Sequence, residues 1–362
     1  MKKIIAMMAV IAVTFTMAGC GNSDNGGINK TENISSEMIT MIANEDKSET
    51  DEKNAKSEKS IEQLREETHL ASLELDGFLY IEYETYIEII GCNLEASEVT
   101  VPNEINNKPV LFIGVGTFRY NKLIESVTIP DSVISIESEA FKECENLKNI
   151  KFSLNLIRID NYAFAECTSL TNIKLPDGLE TIGQGAFDNC IGITEIEIPD
   201  SVTELGDSET GWGFVFDNCT NLTNVKLPSD LSVLEAGMFR GCTKLASVKV
   251  PSTVTKIGAM AFTDCTSLTG VDLPDSVTSI SYNAFSGCTS LKTIKLPTNL
   301  TYMGESMFYG CVNLESIEIP DSVTEIGNDV IWGCANLKNV TIPEHFTEEQ
   351  IKNAGLSGIL EE

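Results

Sequence analysis

The sequence predicts a mostly β solenoid of parallel short strands, ten rungs of about 23 residues, between an N-terminal β cap and a short C-terminal helical cap. Three observations carry this expectation. Cysteines recur at Cys144, Cys167, Cys190, Cys219, Cys242, Cys265, Cys288, Cys311 and Cys334, every step being 23 except 190 to 219, where six residues are inserted. Prolines keep the same beat at 130, 176, 199, 228, 251, 274, 297, 320 and 343. An aromatic position repeats as Phe118, Phe141, Phe164, Phe187, Phe216, Phe239, Phe262, Phe285 and Phe308, and ends at Ile331. A fixed internal period overrides a domain count taken from the 362-residue length.

The first element, MKKIIAMMAVIAVTFTMAGC, sets Lys2 and Lys3 before an apolar run and then small residues, the pattern of a secretory signal over 1–19. That run is too short to cross a bilayer as a mature helix, and no later segment has the required length. Met17-Ala18-Gly19-Cys20 resembles the bacterial lipobox, with Met where Leu is usual. The resemblance implies acylation of Cys20 and an extracytoplasmic, membrane-anchored chain. Residues 20–70 are rich in Asn, Ser, Lys and Glu and nearly free of aromatics, so they are expected to form a disordered tether.

Residues 71–112 change texture. FLYIEY and YIEII suggest a strand pair, and VTVPNEINNKPV already sounds like the repeat, so this stretch is expected to cap the first rung.

Within 113–343 each unit follows one template. After Cys167, apolar residues fall at Leu170, Ile173, Leu175, Leu179, Ile182 and Phe187. A period of this size with an L-x-x-I-x-L segment is the signature of a leucine-rich repeat, whose units bury their apolar faces only against neighbours. Alternation points Ile173 and Leu175 inward and Lys174 outward. Proline stops the ladder where its missing donor does no harm. Pro-Asp-Ser then makes a turn, and V-T-x-I-G offers a second short strand with glycine at the bend. In 344–362, Thr347-Glu348-Glu349-Gln350 fits a capping box opening a helix to about Ala354, with Gly355 as its stop.

IPDSVTEIG, IPDSVISIESEAF, AFSGCTSLKTIKLP and AFTDCTSLTGVDLP, with VTVPNEINNKPV before them, resemble the BspA-like branch of bacterial leucine-rich repeats over about three quarters of the chain. The resemblance implies the solenoid fold and a surface-exposed binding or adhesion module. Departures are Ser153 for proline, Glu137, Asp160, Glu235 and Ser281 for the bend glycine, and the insertion before Phe216.

Composition narrows the chemistry. A net charge of -29 argues against a nucleic-acid partner, since phosphate binding needs a basic footprint. Nine cysteines at one depth cannot all pair, so a column of buried free thiols is expected, although adjacent rungs lie within disulfide reach. No C-x-x-C or nearby histidine gives zinc spacing, and no metal or cofactor is expected. His69 and His345 are far apart, and no serine or cysteine has a partner base, so an enzyme is not expected. The turn aspartates Asp131, Asp177, Asp200, Asp275 and Asp321 suit turn bonding better than a calcium ladder, because Ser229, Ser252 and Thr298 replace them.

Two features point to a binding face. The outward strand column holds Lys151, Lys174, Lys226, Lys249 and Lys295, either a solvated ladder or a basic stripe for an anionic glycan or acidic protein patch. The insertion GDSETGWGFVF places Trp212 between glycines, as an exposed anchor or folded back on the core. The expected molecule is a monomeric, lipid-anchored surface protein that binds a protein or glycan, touching membrane only through its anchor. Rival readings are an extracytoplasmic enzyme or accessory subunit, and a purely structural envelope lipoprotein.

Overall fold

The computed structural model describes residues 71–171, 173–206 and 211–357. The proposed signal, Cys20, the tether and His69 lie outside them. The described solenoid comprises 71–82 and 86–357.

The N-terminal element is an antiparallel meander of β1 (Ala71–Leu75), β2 (Phe78–Glu82) and β3 (Ile87–Cys92). Strands β4 (Glu98–Thr100), β5 (Glu104–Ile105) and β6 (Lys108–Ile113) follow. β3 pairs in parallel with β6, and β4 pairs in parallel with the Ser126–Thr128 strand. The segment expected to cap the stack therefore also contributes a turn of its own. The solenoid has about eleven turns, one more than the ten counted from Phe118.

Each turn has three sides. In most turns the first side carries a strand three residues long, as in Asn149–Lys151, with the middle residue buried and its neighbours exposed; the segments around Lys174 and Lys295 run along the same side without forming a regular strand. The second strand of a turn is two residues long, as in Arg158–Ile159, and follows the proline turn. Both pair in parallel with their equivalents one turn away, for example Lys151 with Thr128 and Ile159 with Ile136. The third side, the turn ridge, is bonded backbone to backbone: Phe141 N donates to Ala163 O at 2.7 Å and Phe164 N to Ala186 O at 2.8 Å.

The core is a set of columns. Nine phenylalanine rings, Phe118 to Phe308, stack face to face at centroid spacings from 4.8 to 5.9 Å. Such offset stacks add to the burial free energy of each ring. Beside them every repeat cysteine donates its Sγ–H to the phenylalanine carbonyl of the preceding rung, from 3.0 Å at Cys144 to 3.3 Å at Cys334. Cys219 keeps this bond to Phe187 O across 32 residues where the others span 26, so the columns continue undisturbed past the six-residue insertion. The insertion does split the second-strand sheet: one ladder ends at Glu204–Leu205 and another begins at Val233–Leu234.

Two left-handed positions recur per turn, one two residues before the phenylalanine and one just before the cysteine. Tyr162 (φ 55°), Phe214 (φ 48°) and Met260 (φ 57°) occupy the first, Asn189 (φ 56°) and Asp264 (φ 58°) the second. Such backbone is strained for most side chains and persists only where the surroundings over-determine it. At Gly237 (φ 64°) the same position requires glycine on a second ground, since a Cβ there would lie 2.1 Å from the Phe214 ring of the turn before. The bend glycine of V-T-x-I-G has a different reason from conformational freedom. A Cβ on Gly304 would meet the Ser281 carbonyl carbon at 2.3 Å, so glycine is demanded by the close approach of the neighbouring turn.

The C-terminal helix among the described residues follows the sequence expectation. Helix α1 (Glu348–Asn353) has Thr347 as N-cap, with Gln350 N donating to Thr347 Oγ1 and Thr347 N to Gln350 Oε1. Gly355 at φ 80° stops it. No residue of the helix itself is buried; Phe346, Ala354 and Leu356 on either side seal the last turn.

Candidate binding surfaces

Lys151, Lys174, Lys226, Lys249 and Lys295 are all exposed on the first-strand side. Strand alternation places them there, since the residue before each is buried or, at Ile173, half-buried. Their column is broken by Glu197 and Asp272, which pair in register with Lys226 and Lys249. Lys226 makes an ion pair with Glu197. Among the described residues, Lys151, Lys174, Lys249 and Lys295 have no carboxylate within ion-pairing distance. Exposed pairs such as Lys226–Glu197 contribute little to folding.

The turn aspartates do not act as local turn caps. Asp200 Oδ1 accepts from Ser229 N at 2.8 Å and Asp275 Oδ1 from Thr298 N at 2.9 Å, both on the next turn. These bonds hold both carboxyls below the usual carboxylate range. No group of His, Cys, Asp and Glu able to hold a metal occurs among the described residues.

The insertion returns as a built cluster. Trp212 forms a parallel bridge with Ala236, is 40% exposed, and stacks on Phe214 at 5.4 Å. It is thus both half-exposed and leaning on the ridge, between the two alternatives that sequence left open. Arg240 lies 5.1 Å from the Phe214 ring centroid, its Nε donates to Asp217 Oδ1 at 2.9 Å, and its Nη2 bonds Asp217 Oδ2. Asp188, one turn before Asp217, is pushed up to about 6 by burial and then by the Asp217 and Glu166 carboxylates, against the pull of Arg240 and Lys142.

The thiols are poor nucleophiles. All ten described cysteines are free, and burial pushes Cys144 and Cys265 up to about 12 and Cys334 to about 11. His345 Nε2 lies 2.8 Å from Val323 O, so that ring is committed to the C-terminal seal.

Sequence reasoning did not single out the exposed aromatics at the end of the ridge. Tyr309 is 48% and Trp332 60% exposed. Both stand one residue after the phenylalanine position, a column that alignment of the repeats displays directly.

Stacked parallel turns around a continuous core define a leucine-rich-repeat solenoid. The BspA type leucine rich repeat region, in six copies, matches residues 91–209 and 213–338, and the chain belongs to that family. A leucine-rich repeat protein of Bacteroides ovatus is similar in structure, with 26% identity, TM-score 0.51, and coverage of 75% of this chain and 88% of that one. The pneumococcal vaccine antigen PcpA shares the fold at 21% identity and TM-score 0.52, covering 75% of this chain and 82% of that one. No curated protein matches the chain.

Proposed function

We propose that this protein is held at the cell surface by a lipid on Cys20 and binds a protein or glycan ligand through the first-strand face of its solenoid. The observation that carries the reading is the column Lys151, Lys174, Lys226, Lys249 and Lys295, exposed on a chain of net charge -29 and largely without acidic partners. A flat row of ammonium groups suits broad, multivalent contact with an acidic partner. A leucine-rich-repeat solenoid is compatible with protein binding, which favours this reading over catalysis.

The test replaces Lys174, Lys226 and Lys249 together with Glu and measures adhesion to glycan and host-protein arrays at low salt, where exposed charges act most strongly. Loss of the strongest signals is expected. A triple variant that adheres as well as the parent removes the lysine face from the account. For the anchor, Cys20→Ala should abolish incorporation of radiolabelled lipid; label retained in that variant contradicts it.

A further inference from the structure

We propose that the turn ridge of the last three turns is a second binding site, for an uncharged oligosaccharide that packs on Tyr309 and Trp332. Three columns form this ridge: the residue after the aromatic position, the left-handed residue before the cysteine, and the residue after the cysteine. Early in the stack they hold Arg119, Tyr120 and Lys122, then Lys142, Glu143 and Glu145. In the last three turns they hold Ser286, Gly287 and Thr289, then Tyr309, Gly310 and Val312, then Trp332, Gly333 and Ala335. None of these nine carries a charge.

The backbone holds these columns in register. Gly287 N donates to Tyr309 O and Gly310 N to Trp332 O, each at 2.8 Å, which locks the three turns in register. The two aromatic side chains therefore start about 5 Å apart, one strand spacing. Trp332 is 60%, Tyr309 48% and Val312 38% exposed. An adjacent set of large apolar side chains on a solvated surface marks an interaction site. The glycines 310 and 333, at φ 71° and 80°, add no side chain, so a ligand can lie against the backbone beside the rings, whereas the Asp264 carboxylate covers Gly287.

Beside these columns runs a column of amides. Asn313 Nδ2 donates to Thr289 O at 2.7 Å and Asn336 Nδ2 to Asn313 Oδ1 at 3.0 Å, which orients both exposed side chains while leaving capacity for further hydrogen bonds. Asp329 borders the site three residues before Trp332 and adds an acceptor.

Chemistry selects the ligand. A sugar ring offers C–H faces to an aromatic ring and hydroxyls to amides, matching the two columns side by side. A polyanion would meet no cation here and would be repelled by the chain's net charge of -29. A cationic ligand would find carboxylates only at the margins, Asp329 on one side and Asp264 beside Gly287 on the other, with the Tyr309 and Trp332 columns between them uncharged. This surface lies apart from the lysine column, so either site can fail without the other.

The test uses the full-length protein carrying Trp212→Phe, which leaves Trp332 as the one tryptophan of two. Its fluorescence is titrated with soluble oligomers of glucose, mannose, galactose and N-acetylglucosamine, and with dextran sulfate. At least one neutral series should change the emission saturably, more tightly for longer oligomers, and dextran sulfate should not. Trp332→Ala and Tyr309→Ala, read by calorimetry in the parent background, should each weaken binding about tenfold or more with unchanged melting. Lys249→Glu should leave it unchanged. Silence from every neutral oligomer at millimolar concentration overturns the proposal. So does a response to dextran sulfate alone, or equal binding by both alanine variants.

Discussion

The turn ridge over Phe164 to Phe239 and the same ridge over Phe285 to Ile331 share one backbone path, and their outer side chains do opposite things. In the first, Tyr162, Asp188, Phe214, Asp217 and Arg240 interlock: Arg240 bonds Asp217 and covers Phe214, and Asp188 is half-buried against them. In the second, Tyr309 and Trp332 stand in solvent with glycines beside them. Beneath both, the rings still stack and the thiols still bond the preceding phenylalanine carbonyl. The comparison teaches that the inward columns alone specify this fold, which leaves the outward columns free to become a structural patch in one place and a docking surface in another.

Substitutions at matched depth should break that comparison if it is wrong. Phe239→Ala removes a ring with no solvent exposure from the middle of the stack, and is expected to destabilise by about 3 to 5 kcal/mol in urea denaturation. Trp332→Ala, on the open ridge, should stay within about 0.5 kcal/mol. Similar losses from the two would mean that the outer aromatics belong to the core after all.

A smaller effect separates the two ridges by pH. The folded pKa of Asp188 is raised to about 6, so the folded state holds a proton that the unfolded chain has released between its ordinary value near 4 and 6. Asp188 therefore costs stability as pH rises through 6. Asp188→Asn should stabilise by about 1 to 2 kcal/mol at pH 7, after allowance for its partial exposure, and by almost nothing at pH 4. A gain equal at both pH values would show that desolvation of this carboxylate is not the cause. Asp200 and Asp275 have the opposite sign, since their pKa values are lowered: their contribution is present at neutral pH and lost on acidification.

The smallest change is expected at the thiols. Thiol reagent at pH 8 should leave the repeat cysteines of the native protein unmodified, while the denatured, unreduced protein should titrate about nine or ten thiols. Two or fewer would mean that neighbouring turns are cross-linked. Because burial raises these thiols, the unfolded chain ionises first, and stability should fall as pH climbs from about 9 towards 12.

Much of the fold was legible because its rules repeat. Phenylalanine, cysteine and proline at one period announced the inward columns, and Thr347 to Gln350 announced the terminal helix through purely local chemistry. What stayed hidden depends on neighbours 23 residues away. The reason for glycine at 304 is the backbone at Ser281, and Asp275 bonds Thr298 of the next turn instead of its own. Left-handed Tyr162, Phe214 and Met260 gave no local signal, because those residue types ordinarily avoid that backbone. Lysine exposure followed from alternation, whereas the aromatic ridge emerges only when each column is followed to the end of the stack.

Successive units lean on one another along a single axis. Spin labels placed at position 151 and, in turn, at 226, 249 and 295 test it by pulsed distance measurement. Those positions are three, four and six turns from 151, so distances of about 15, 20 and 30 Å are expected, rising evenly with turn number. Distances that cluster, or shrink as the sequence separation grows, would contradict a solenoid.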